Sequence, residues 1–156
     1  MEFVTAPDGV KLATYEFGNP HGPELVLIHG FSQAHLCFAP QFESDALRDF
    51  RIVAYDHRGH GASDKPSDPK AYQSDKVWAD DLTAILDAKS LKRPVLSGWS
   101  MGGRVIRRYL MHAGDSRAIT NLQVTAHYGQ HSVPVRMFEV TCPNGLRILH
   151  TGDNQA

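Results

Sequence analysis

The chain has 156 residues, 42% hydrophobic and 21% charged, with 16 Lys and Arg against 17 Asp and Glu for a net charge of −1. This balance suits one folded domain over 1–156, excludes a disordered chain, and offers no basic field for a nucleic acid backbone. Apolar runs such as Leu25–Ile28 are too short to cross a bilayer, and Met1–Ala13 has no apolar leader, so a cytoplasmic protein without membrane partner is expected.

Glu2–Thr5 and Lys11–Phe17 flank Pro7-Asp8-Gly9 and read as a β-hairpin. Gly18–Pro23 is a loop. Leu25–Ile28 is apolar at every residue, as in a strand buried on both faces of a parallel sheet. Ala39–Leu47 is expected to be a short helix, Phe50–Tyr55 the next strand, and Gly59, Gly61 and Pro66 mark a long loop. Asp75–Ala88 carries Val77, Trp78, Leu82, Ile85 and Leu86 at helical spacing. Val95–Trp99 is a strand, Met101–His112 a helix, and Ile119–Thr125 a further strand of the same parallel set. Strands alternating with helices predict an α/β fold, a mostly parallel sheet with helices on both faces. The rhythm holds over 1–125 and fails over 126–156, where Val133–Val140 and Leu146–His150 read as strands without a helix between them.

Gly98-Trp99-Ser100-Met101-Gly102 matches G-x-S-x-G between an apolar strand and an amphipathic helix. A serine on so tight a turn is pushed outward by its own backbone, and the glycines give room where chain crosses chain. The helix starting at Met101 directs free N–H groups and its positive dipole end at the same spot. His29-Gly30-Phe31 follows the first buried strand, and its glycine lets the Phe31 N–H act as a second oxyanion donor opposite that of Met101. His29 itself reads as a hydrogen-bonded loop residue. Asp56–Ser63 reads as scaffolding, with Arg58 pinned by carboxylates. Cys37 and Cys142 make neither a disulfide framework nor a zinc site, and neither a metal nor a cofactor is expected.

His29-Gly30-Phe31, Asp56–Ser63 and Gly98–Gly103, in this order, resemble the α/β-hydrolase fold superfamily, and most nearly its serine esterase and cofactor-free haloperoxidase branch. The resemblance covers 1–125. It implies Ser100 as nucleophile, the Phe31 and Met101 N–H groups as oxyanion hole, and an ester-like or acyl small molecule as substrate. Serine at position 100 argues against the epoxide hydrolase and haloalkane dehalogenase branches.

The resemblance also implies an acid and then a histidine after the serine, beyond a lid. Fifty-six residues follow Ser100, too few for all of these. Cys142–Asn154 looks like the family's seventh strand and acid loop, with Asp153 matching the first acid and the second missing. A deletion or a shifted frame would produce such a tail. His112 closes a helix; His127 and His131 lack a third metal ligand; His150 falls at a strand end. The alternative to an esterase is therefore a shortened homologue without turnover. Without the family's later strands, the Ile119–Thr125 strand would lie next to an exposed sheet edge, through which self-association is expected.

Overall fold

The computed structural model describes residues 1–112 with their side chains and, as backbone, Ala113 and three strands at Gln123–Gly129, Val135–Thr141 and Arg147–Thr151. The first half builds β1 (Glu2–Thr5), β2 (Lys11–Gly18), β3 (Glu24–Ile28), α1 (Ala39–Phe42), β4 (Arg51–Tyr55), α2 (Lys70–Gln73), α3 (Asp75–Ala88), β5 (Val95–Trp99) and α4 (Met101–Ala113). The later strands are β6, β7 and β8 in chain order. All eight form one sheet in the order β1-β2-β4-β3-β5-β8-β7-β6.

The hairpin turns as its residues require. Gly9 sits at φ +90°, where a side chain is disfavoured, and its N–H donates to Ala6 O. The centre of the sheet is parallel, β4-β3-β5-β8, with Leu25 beside Ile52 and Ile28 beside both Tyr55 and Gly98. Of the described strands, β1, β3, β4, β5, β6 and β8 run one way and β2 and β7 the other.

The all-apolar strands split their residues between two layers, because successive side chains point to opposite faces. Val26, Ile28, Val53, Tyr55 and Leu96 pack against Trp78, Leu82 and Ile85 of α3 and Val105, Ile106 and Tyr109 of α4. Leu25, Leu27, Ile52 and Ala54 meet Phe38, Phe42 and Leu47 on the other face. Fully burying each such side chain contributes about 1.5–3 kcal/mol, so both faces hold the parallel centre.

Two expectations change. Ala39–Leu47 is not one helix: α1 ends at Phe42, Ser44 is extended at ψ 123°, and separate 3₁₀ turns lie at His35–Phe38 and Asp45–Leu47. The strand expected at Ile119–Thr125 is β6 at Gln123–Gly129, and 119–122 lie outside the described residues. It does not lie beside β5; that place belongs to β8, with Leu96 opposite Ile148 and Ser97 opposite Leu149. Sequence pattern explains the choice. Ile148-Leu149 is a continuous apolar pair suited to a central strand, whereas β6 alternates polar and apolar residues as an edge strand does. Five-residue links at 130–134 and 142–146 then make β6, β7 and β8 an antiparallel meander.

Candidate functional site

The parallel strands β3, β4 and β5 end at one side of the sheet, where their following loops meet. Ser100 lies between β5 and α4 at φ +50°, a left-handed conformation that costs a non-glycine residue of order 1–3 kcal/mol. The turn closes because its neighbours lack side chains. A Cβ on Gly98 would stand 2.5 Å from the Gly102 carbonyl carbon and 2.6 Å from Gly103 N. One on Gly102 would stand 2.1 Å from Ile28 O, and one on Gly30 3.4 Å from Ser100 Cβ. The three glycines thus let the ends of β3 and β5 and the start of α4 converge on the Ser100 side chain, which is exposed.

The loop after β3 is held from below. The Gly30 N–H donates to Gln33 Oε1 at 2.9 Å. Ser32 is left-handed at φ +58°, and its N–H donates to His60 Nε2 at 3.2 Å. The acceptor role of Nε2 leaves the proton on Nδ1, which donates to Arg58 O at 3.0 Å. His60 thereby ties the Phe31–Ser32 turn to the loop after β4. Sequence reasoning passed over both Gln33 and His60, since each bond joins backbone to a side chain with no motif spacing.

His29 is the buried, hydrogen-bonded histidine that was expected. Its Nε2 accepts the His57 N–H at 3.0 Å and its Nδ1 donates to Gly30 O at 2.7 Å. Burial pushes its pKa down to about 4, so it stays neutral at physiological pH. Burial likewise holds His57, which donates Nε2–H to His29 O at 2.9 Å, well below the usual imidazole range. The His29 ring thus has both nitrogens occupied, and burial disfavours a second proton on His57.

Asp56–Ser63 is scaffolding in the structure as well. The Arg58 side chain is fully buried and donates from Nε and Nη2 to the two carboxylate oxygens of Asp81, at 2.7 and 2.6 Å. Its Nη1 donates to Asp8 at 2.7 Å and to Ala71 O at 2.8 Å. This fork locks the hairpin turn, the loop after β4 and α3 together. Burial alone would raise the Asp56 carboxyl, but the Ala62 and His35 N–H groups and the His35 ring hold it below its ordinary value. Gly61, at φ +46°, leaves the space this carboxylate fills.

Above these loops opens a cleft of about 560 Å³. Phe31 and Ser32 line it from the loop after β3, Gly59 and His60 from the loop after β4, and Met101 from the start of α4. The two residues expected as oxyanion donors, Phe31 and Met101, are therefore walls of one cavity, and Ser100 directly precedes Met101 in the chain. Of the later histidines, His112 lies in the last turn of α4 and His127 on β6, while His131 is outside the described residues. His150 lies on β8 at the register position opposite Gly98, the start of the serine motif. Among the described residues no cluster of three or more His, Cys, Asp or Glu is placed to hold a metal ion. No helix among them is long and apolar enough to cross a membrane.

The alpha/beta hydrolase fold family matches residues 23–124. A solved structure of a putative aryl esterase from Burkholderia cenocepacia is 45% identical, with a TM-score of 0.72, over 73% of this chain and 42% of that one. The probable oxidoreductase EphD of Mycobacterium tuberculosis is 38% identical over 119 residues, 76% of this chain and 20% of that protein. A non-heme chloroperoxidase of Streptomyces lividans is 31% identical over 146 residues, 94% of this chain and 50% of that protein. The chain thus spans at most half the length of each of these three relatives.

Proposed function

This chain belongs to the α/β-hydrolase fold family, and on that premise we propose that it acts on ester-like or acyl small molecules through Ser100 as nucleophile. The single observation that carries this reading is the left-handed Ser100 on a turn closed by Gly98, Gly102 and Gly30. Such a turn pushes the hydroxyl outward, one residue before Met101 of the cleft wall. In the proposed step Ser100 Oγ attacks the acyl carbon and its proton passes to a base. The carbonyl oxygen becomes an oxyanion that accepts hydrogen bonds from the Phe31 and Met101 N–H groups; the carbonyl re-forms as the alcohol leaves with the proton returned by the base, and water then attacks the acyl-Ser100 ester to release the acid and restore the hydroxyl. The positive end of α4 stabilises the same charge. Similarity to a protein described as a putative aryl esterase supports the choice of an ester.

A second reading is a homologue that keeps the elbow without turnover. It draws on the state of three histidines: both ring nitrogens of His29 and of His60 are committed, and His57 is buried with its Nε2–H donated to His29 O. A base in this chain would come from His127, His131 or His150, and the register of His150 opposite Gly98 makes it the first to mutate. A self-associating chain pairing through β6, the edge of the sheet, belongs to the same proposal.

A fluorophosphonate probe with mapping of the adduct separates the readings. Weak labelling confined to Ser100 supports the nucleophile. No adduct at Ser100 under any condition of pH supports the second reading.

A further inference from the structure

We propose that the cleft beside Ser100 recognises a carboxylate carried on a flat aromatic or apolar body. This deepens the reading above and rests on it for the cleft's being a substrate site. The wall not yet described consists of Tyr72, Trp78, Arg104 and Arg108. Arg104 and Arg108 stand four apart on α4 and so share one helix face. Two like charges at that spacing repel, and among the described residues one carboxylate pairs with only one of them. That carboxylate is Asp75, 2.7 Å from Arg108 Nε but out of line with the N–H, so the contact is an ion pair and not an aligned hydrogen bond. The Arg108 guanidinium lies 5.8 Å from the centre of the Trp78 ring, and its terminal nitrogens donate no hydrogen bond among the described residues. Arg104 is exposed and has neither an ion pair nor a hydrogen bond among them.

The cleft is therefore left with surplus positive charge, to which the N-terminal end of α4 at Met101 adds. Guanidinium forks match a planar carboxylate bidentately, and the flat walls beside them suit a carboxylate borne on an aromatic or apolar body. Tyr72, Trp78 and Phe31 supply flat walls for the body that carries it. The volume, about 560 Å³, is that of a small-molecule site. In an ester bound here the carboxylate would sit on the arginines while the acyl carbon reached Ser100 past Met101.

The test uses the full 156-residue chain with benzoate and its neutral isostere benzamide. The Trp78 indole N–H, which donates to Tyr72 O at 3.0 Å, reports from within the wall through its NMR resonance. Benzoate is expected to shift this resonance with an affinity at least about tenfold above that of benzamide. Arg104→Gln should weaken benzoate about tenfold and leave benzamide unchanged, and Arg104→Lys should recover part of the loss. Because Arg104 is exposed, its variants should melt with the parent. Equal affinities for the two probes, no response to benzoate, or unaltered benzoate binding in Arg104→Gln would each overturn the proposal. Binding does not need the Ser100 hydroxyl. Failed labelling of Ser100 would overturn the nucleophile and leave the anion site standing, and failed benzoate binding with labelled Ser100 would do the reverse.

Discussion

Replacing Gly102 by alanine inverts an ordinary expectation. Gly102 is the second residue of α4, and alanine in a helix normally gains about 1 kcal/mol over glycine. Here the added Cβ would lie 2.1 Å from Ile28 O, 2.8 Å from Ile28 C and 3.1 Å from His29 O, where ordinary contact begins at 3.4 Å. All three are backbone atoms at the end of β3, which is hydrogen-bonded to β4 on one side and β5 on the other. The clash therefore cannot be relieved by turning a side chain. Either α4 or the end of β3 must shift by about 1 Å, at the upper end of the roughly 1–3 kcal/mol that overpacking costs. Set against the helix gain, the net loss is about 2 kcal/mol. That corresponds to a fall in Tm of about 4–8 °C for a chain of this size. Thermal unfolding followed by circular dichroism measures it. Gly9→Ala is the control, since no atom lies within 4 Å of its would-be Cβ and only the φ of +90° is strained. A Gly102→Ala chain as stable as the parent, or more so, would refute the close approach of α4 to β3.

Acid should weaken the fold before most carboxylates titrate. The folded pKa of His29, about 4, lies below its unfolded value, so the unfolded chain binds the extra proton between the two and stability falls as pH drops through that window. From about pH 6.5 to about pH 5 His29 should remove about 2 kcal/mol, at 1.36 kcal/mol per unit, and buried His57 acts in the same direction. Urea midpoints at these two pH values check this, and a flat profile would contradict the buried neutral pair. The chain made alone should associate through the β6 edge, and a monodisperse monomer by light scattering, with no binding of a hydrophobic dye, would count against it.

Much of the frame was legible because it is local. Pro7-Asp8-Gly9 announces the first turn, the unbroken apolar runs announce the parallel centre, and Asp75–Ala88 shows its apolar stripe. The serine motif was legible for the same reason: its spacing is itself a steric requirement. What was not legible depends on contacts distant in sequence. His29 and His57 bond across 28 residues, as do Ser32 and His60. The cleft wall joins Trp78 of α3 to Arg108 of α4, two residues that read separately as an ordinary core position and an ordinary surface charge. The place of β8 beside β5 turned on a competition between two strands for one central position; the apolar pair Ile148-Leu149 favours β8 there, but only the pairing of the assembled sheet settles it.

The central claim is that Ser100 is a nucleophile held ready by its backbone. The most direct measurement is the mapped fluorophosphonate adduct on the purified chain, compared with Ser100→Ala. The account predicts an adduct on Ser100, formed slowly because His29, His57 and His60 are buried or committed to backbone, and absent from the variant. Activated aryl ester hydrolysis should be slow in parallel, near the residual level that an oxyanion hole and binding sustain without a complete triad. An adduct on any other residue, or none on Ser100, would contradict the account.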